Sequence, residues 1–518
     1  MADIVLATLN ARWSHASMGL RCLRANLGNL RERSVIREFT IQDRCDHIVE
    51  TLLFEKPRLI GFGVYIWNLR ETERVVAMLK ALHPEITVVC GGPEVSHGID
   101  HSSLGVHADS IISGEGEEAF ARVAAAVLAG AKPPPRIAEQ KPNLSSMALP
   151  YGEYSDEDLR QRIIYVEASR GCPFTCEFCL SSIDEKVRSV PMEKFLAAMA
   201  DLVLRGCRTF KFVDRTFNLK PSSCAAILDF FYEQWPRDAK GDLIAPLSSR
   251  QMDGGEMRNE SFFLHFEMVP DRLPDSIKAL IERFPAGSIQ FEVGIQSFTP
   301  KVGELISRRM DQQQTENNLR YLRDGGLVHV HADLIIGLPG ETPESFHESY
   351  DRLFALGPDE IQLGILKLLR GTPLRRHTES FSMIYNGDPP YDLLASVDFP
   401  FAVMQRYKRF ARYHEIFINS GRFPAGIQLL LQGQSSPCAA LLAFSDWLWA
   451  TTRQEHQFAL TRQYDLLIDY LITSGHSQDR VLQVLALDAS RRTSKRGVPE
   501  RLRPYVEGLA RNAETADC

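Results

Sequence analysis

The chain has 518 residues, 44% of them hydrophobic, with 59 Lys and Arg against 66 Asp and Glu, a net charge of −7. That length exceeds what one core supports and points to about three domains, and the acidic balance lacks the basic field by which proteins gather nucleic acid. No run of 18 apolar residues occurs, so no membrane span is expected. 

Met1-Ala2-Asp3-Ile4 enters a strand pattern with no basic leader or cleavage site. The ten cysteines are scattered except for one triplet, which is not a disulfide framework, so a reducing cytoplasm is the expected compartment.

From residue 1 to 130, apolar runs alternate with helical patterns: Ile4 to Ala7, Val35 to Phe39, Leu59 to Val64, Ile86 to Val89 and Ser110 to Ile112, with a helix such as Leu69 to Leu82 between. This rhythm predicts a parallel sheet of five strands with both faces covered, in the flavodoxin-like (Rossmann-type) order. Ligands of such sheets sit outside the carboxyl ends of the strands. Small residues mark those ends here: Gly61 and Gly63, then Gly91-Gly92-Pro93-Glu94, then Gly114-Glu115-Gly116-Glu117-Glu118. The dinucleotide fingerprint G-x-G-x-x-G is absent after the first strand, where Thr8-Leu9-Asn10-Ala11-Arg12-Trp13-Ser14-His15 stands instead.

With its G-G-P and G-E-G-E stretches, this half resembles the cobalamin-binding domains that precede a radical S-adenosylmethionine (SAM) core. The resemblance implies a corrin site built from Gly63, Gly91, Gly92 and Pro93, and from Gly114, Glu115 and Glu117. Asn10 and His15 would join it from the loop after the first strand. The family's axial-ligand motif, D-x-H-x-x-G, is not matched, because His15 lies four residues before Gly19. His15 therefore has two readings, a cobalt ligand or a hydrogen-bonding loop residue.

Ala131-Lys132-Pro133-Pro134-Pro135 breaks the helical pattern, and 131–158 reads as a stiff linker of polyproline type. Next comes Ser169-Arg170-Gly171-Cys172-Pro173-Phe174-Thr175-Cys176-Glu177-Phe178-Cys179, three thiols directly after the apolar run Ile163 to Val166. Structural zinc and ferredoxin-type clusters both want four protein ligands. An iron–sulfur cube on Cys172, Cys176 and Cys179 keeps one iron open to an amine and a carboxylate. The other reading is a zinc knuckle that borrows Cys207 or Cys224.

The C-x3-C-x2-C spacing, with Phe178 before the last Cys, resembles the signature of radical SAM enzymes, and the resemblance extends over 159–375. Six strand-then-helix units predict a partial (β/α)6 barrel, with strands at Ile163 to Glu167, Thr209 to Val213, Phe262 to Glu267, Ile289 to Val293, Val328 to Ile336 and Glu360 to Ile365. Val293-Gly294-Ile295-Gln296-Ser297-Phe298 resembles a segment of that family's fourth strand, and Gly337-Leu338-Pro339-Gly340-Glu341 one after its fifth. The resemblance implies SAM contacts from Phe178, Glu292, Gln296 and Ser297, adenine packing at Gly337 and Gly340, and a backbone edge at Leu366. Arg309, or its neighbour Arg308, matches the SAM carboxylate. Asp214 stands where the family has a G-E pair and would take over the SAM amine. His265, His329 and His331 alternate onto strand faces as barrel-wall residues.

Residues 376–518 turn helical, for instance Phe401 to Phe417, Cys438 to Trp449 and Leu460 to Ile472, resembling a helical extension of unknown role in one branch of these proteins. The basic stretch Arg491 to Arg496 is expected to be a solvated helix end, with phosphate or RNA contact as the other reading.

The resemblance implies a [4Fe-4S] cluster, SAM and cobalamin as cofactors, and an electron donor such as flavodoxin or ferredoxin. The implied reaction is methyl transfer to an unactivated carbon or phosphorus of a small-molecule or peptide substrate. Alternatives are a radical cyclase or rearrangement, a tRNA methylthiotransferase with a second cluster on Cys22, Cys45 and Cys90, and a non-catalytic cobalamin or redox sensor.

Overall fold

The computed structural model describes all residues except 98–102, 139–140, 185, 247–260, 492–496 and 517–518. Part of the basic stretch at 491–496 therefore lies outside the described residues. Among the described residues no helix is long and apolar enough to cross a membrane.

The first sheet contains β1 (Ile4–Asn10), β2 (Ser34–Thr40), β3 (Leu59–Gly63), β4 (Thr87–Gly91), β5 (Ser110–Ser113) and β6 (Arg136–Ala138), in the order β2-β1-β3-β4-β5-β6. The described pairings are parallel, with Ile4 opposite both Ser34 and Leu59. Alternate residues of β1 feed two cores: Val5, Ala7 and Leu9 pack with Leu52, Val75 and Leu79, whereas Ile4 and Leu6 pack with Leu20, Phe120 and Val123. Burial on both faces is why the strand reads as an unbroken apolar run. The sixth strand was not expected. Prolines cannot donate to a ladder, but their carbonyls can accept. Ile111 N donates to Pro135 O at 2.9 Å and Ser110 Oγ to Pro134 O at 2.7 Å, so the expected linker begins as an added edge strand.

The second sheet is the barrel: β7 (Ile164–Val166), then β8 (Ser169–Arg170) and β9 (Arg188–Ser189) as a separate ribbon, β10 (Thr209–Phe212), β11 (Phe263–Met268), β12 (Ile289–Gln296), β13 (Val328–Ile336) and β14 (Glu360–Ile365). Six parallel strands run β7-β10-β11-β12-β13-β14, so the barrel is open between β7 and β14. Register places Lys211 beside Tyr165 and His265, and Glu292 beside Glu267 and His331, one polar set on the concave side. The opposite parity (Phe210, Phe212, Leu264, Phe266) fills the outer core.

The C-terminal region is helical as expected, but it begins with a hairpin, β15 (Ile384–Tyr385) and β16 (Leu393–Ala395), laid over the end of β14. The free edge of β14 is closed by one side chain. Asn419 accepts from Ile361 N at 3.2 Å and donates to Ile361 O at 3.0 Å, as an added strand would. Asn419→Ala should lower stability by about 1–3 kcal/mol, the cost of leaving such groups unpaired, measured by urea unfolding of the full chain. An unchanged midpoint would mean that water replaces the amide.

The first domain is tied to the barrel on the β7 side. Ile163 N donates to Ser14 O at 2.9 Å, and Arg21, almost wholly buried, bridges Glu38 and Asp158 at 2.9 and 2.8 Å. On the other side Glu94 meets Tyr391 and lies 3.1 Å from Arg370.

Candidate functional site

The cysteine loop leaves β8 and returns through β9. Gly171 has φ +94°, and a Cβ there would lie 2.3 Å from Lys186 O, so only glycine lets the two arms approach. Cys172 N donates to Asp184 O, and Cys179 N to Cys176 O. Glu177, between two of the thiols, is buried and accepts from Ser307 Oγ and Arg376 and pairs with His377 Nε2 at 2.9 Å. It anchors the loop to the barrel and to the segment after it.

The loop faces a cavity of about 280 Å³ at the carboxyl ends of the barrel strands. Its wall includes all three thiols with Phe178, Glu292, Gln296, Arg308 and Arg309, so the structure brings these predicted residues together. Arg308 Nη1 lies 3.4 Å from Cys176 Sγ, its Nη2 donates to Gly294 O, and its Nε has no partner. Arg309 is exposed at the rim. Gln296 has φ +72° at a bulge in β12, and its buried Oε1 has no partner.

Charge is unevenly set on this wall. Burial alone would raise the Glu292 carboxyl, but the hydrogen bond and charge of His265, 2.9 Å away, with Lys211 and His331 behind, hold it down at about 2. Asp333 moves the other way: burial, with Glu292 and Glu267 nearby, pushes it up to about 7 against the pull of Arg308. Asp333 was not anticipated as a site residue. Its parity with His329 and His331 along β13 was the available signal, since alternate residues of a strand share a face.

Other predicted SAM residues stand off this wall. Asp214 is buried with its carboxylate accepting from Ala168 N and Ser169 Oγ, which braces the entry to the cysteine loop. Burial raises it to about 6 against those hydrogen bonds. Ser297 lies on a neighbouring groove, its Oγ accepting from Thr299 N. A Cβ at Gly337 would meet Leu393 at 2.6 Å and Met404 at 2.9 Å, and one at Gly340 would meet Leu305 at 2.7 Å, so both glycines serve close packing of protein on protein. Leu366 N donates to Ile336 O, and its carbonyl accepts from Leu393 N. The hairpin thus uses the backbone edge expected to be open.

Glu341, in the same turn, is fully buried, with Oε2 accepting from Gly337 N and Oε1 unpartnered. Burial lifts it from 4.5 to about 8. A raised folded-state value contributes stability below the unfolded value that is lost as pH rises through the folded one. Thermal midpoints should therefore fall between pH 4.5 and about 8 in the wild type, and Glu341→Gln should flatten that part of the profile. Parallel profiles would count against this.

A smaller cavity, about 160 Å³, lies at the carboxyl ends of β3, β4 and β5 in the first domain. Gly63, Gly91, Gly92, Gly114, Glu115 and Glu117 line it. Gly92 has φ +117°, and a Cβ there would lie 2.4 Å from Val64 O. Side chains at Gly63 or Gly91 would fill the slot, so the cradle suits one arm of a larger ligand spread over the strand ends. Pro93, Asn10 and His15 lie off this wall. His15 Nδ1 pairs with Tyr165 OH at 2.6 Å, and Asn10 Nδ2 donates to His15 O and Glu38. Burial, then Lys211, Arg12 and Arg162, lowers the pKa of His15, which stands at the domain junction.

The donor chemistry fits an iron–sulfur cluster: three soft thiols share one cavity. Cys207 and Cys224, the thiols a zinc knuckle would borrow, are buried in the barrel core. Nor do the first domain's cysteines gather. Cys90 belongs to the core on one face of the sheet with Cys45 packed against it, whereas Cys22 lies 3.8 Å from Arg170 at the domain junction.

Residues 4–124 match the B12 binding domain, 166–353 the Radical SAM superfamily, and 379–515 a protein of unknown function, DUF4080. The chain is 24% identical to the cobalamin-dependent radical SAM methyltransferase TokK of Streptomyces tokunonensis and 23% identical to the 2-(S-pantetheinyl)-carbapenam-3-carboxylate methyltransferase of Streptantibioticus cattleyicolor, over 83% and 82% of its own length. It spans 63% of the length of each. Two solved structures share the fold. The radical SAM methyltransferase TsrM of Kitasatospora setae, with cobalamin and [4Fe-4S] cluster bound, matches 72% of this chain and 77% of its own (TM-score 0.53, 17% identity). The cobalamin-dependent SAM radical enzyme OxsB matches 98% of this chain and 80% of its own (TM-score 0.56, 13% identity). Along this chain a B12-binding domain match stands in front of a radical SAM match and a DUF4080 match stands behind it, and the first two domains imply cobalamin, a [4Fe-4S] cluster and SAM as cofactors.

Proposed function

We propose that the protein is a cobalamin-dependent radical SAM methyltransferase acting on an unactivated carbon, or a phosphorus, of a small-molecule or peptide substrate. The observation that carries this reading is the cavity in which Cys172, Cys176 and Cys179 face Arg308, Glu292 and Asp333, on a chain whose glycine-rich strand ends also leave a slot for one arm of a larger ligand. When bound, the cluster with SAM would supply the chemistry for hydrogen abstraction, and the corrin would supply that for methyl transfer.

The chain's own residues bind and shield. Cys172, Cys176 and Cys179 would hold the cluster, with the Arg308 guanidinium beside Cys176 to offset its negative charge. The free Nε of Arg308 fits a carboxylate. Glu292, Gln296 and Asp333 offer acceptors to ribose hydroxyls. The hairpin β15–β16 covers the end of β14 and keeps water from that side. An external one-electron donor of flavodoxin or ferredoxin type completes the requirements.

Anaerobic protein reconstituted with iron, sulfide and hydroxocobalamin tests this reading. With reductant and SAM it should hold about four iron per chain and release 5′-deoxyadenosine, and with substrate S-adenosylhomocysteine as well. A sensor would release no 5′-deoxyadenosine. A cyclase would release it without S-adenosylhomocysteine, and a methylthiotransferase would need about eight iron.

A further inference from the structure

Arg170 and Arg188 face each other across the β8–β9 ribbon, the neck through which the cysteine loop enters and leaves. Arg170 stands two residues before Cys172. Both side chains leave the loop and converge on one carboxylate of the other domain: Arg170 Nη1 lies 2.6 Å from Glu115 Oε2, and Arg188 Nη2 pairs with Glu115 Oε1. Arg170 also reaches Glu117 at 2.8 Å and Glu167 at 2.7 Å, while Asp184 steadies Arg188 at 3.2 Å. The group is largely out of water, with side-chain exposures of 14% for Arg170, 21% for Glu115 and 6% for Glu117, so salt screens it weakly.

The same two glutamates line the corrin cavity. Glu117 Oε2 is buried without a hydrogen-bond partner, and so is Arg188 Nε. One carboxylate, that of Glu115, therefore touches both the space a corrin arm would fill and the neck of the cysteine loop.

We propose that Arg170 and Arg188 are positioning residues that couple the two cofactor sites: cobalamin, by holding Glu115 and Glu117, grips the neck of the cysteine loop and so tightens SAM binding at the cluster. The proposal rests on the cobalamin reading of the first domain. Coupling of this kind is reciprocal, so SAM tightens cobalamin by the same factor. Substrate radical chemistry is then favoured only when the corrin is in place.

The test uses the full chain, reconstituted with iron and sulfide, with and without hydroxocobalamin. SAM is titrated against the EPR signal of the reduced cluster, and cobalamin against its visible spectrum. Wild type should bind SAM about tenfold more tightly when cobalamin is present. Arg188→Gln should bring that ratio close to one while iron and cobalamin loading persist, and Glu115→Gln, which cuts the same contact from the other domain, should bring the ratio close to one at saturating cobalamin, with cobalamin itself bound more weakly. Glu115→Gln also serves if Arg188→Gln loses its cluster. A merely structural pair would lower loading or the melting point and leave the ratio intact. A wild type that binds both cofactors with a ratio of one overturns the coupling alone. A wild type that takes up no cobalamin overturns the cobalamin reading and the coupling with it. Variants that keep the tenfold ratio overturn the assignment to this clamp.

Discussion

Cys176→Ala protein, purified and reconstituted without oxygen, should lose its cluster EPR signal and form 5′-deoxyadenosine at least about a thousandfold more slowly than wild type, a loss of roughly 4 kcal/mol of barrier lowering. Cys176 is the most buried of the three thiols and the one that Arg308 faces. The other two thiols of the barrel cannot replace it: Cys207 and Cys224 are enclosed in its core, and burial raises the pKa of both. Two thiolates cannot close a cube on three of its irons. Iron and sulfide content with near-ultraviolet circular dichroism separates cluster loss from misfolding. A variant that keeps about four iron and a SAM-sensitive signal would remove the basis of the radical assignment.

The second large effect is expected at Arg308. Arg308→Gln should weaken SAM binding by about 10- to 100-fold, the range for a lost charge-assisted hydrogen bond. Arg309→Gln should change it by less than about threefold, as exposed ion pairs contribute little. The pattern RR gave no means of choosing, and Arg309 is the sequence-based expectation. In the fold, Ser307, just before the pair, has φ +54°. Arg308 then packs between Cys176 and Gly294 while Arg309 stays at the rim. SAM titration of both variants decides it, and a larger loss in Arg309→Gln would reverse the assignment.

The β/α alternation was legible because burial on both faces writes each strand as a short apolar run. β13 and β14 fall where the periodicity places them, at Val328–Ile336 and Glu360–Ile365. Elements held by few residues were not legible: β6 depends on proline carbonyls, and β15–β16 on the end of β14. Neither has a hydrophobic period of its own.

Local order along the chain determined the cysteine triplet and the glycine-rich strand ends, because spacing within one loop is set by covalent geometry and needs no partner. Only the tertiary structure decided what each polar residue faces. It turned Asp214 toward Ala168 and Ser169, put His15 against Tyr165, and let Leu393 cover Gly337. It also gave Glu115 to two arginines of another domain. A long-range charge pair carries no period in sequence, so its partner appears only when the domains are docked.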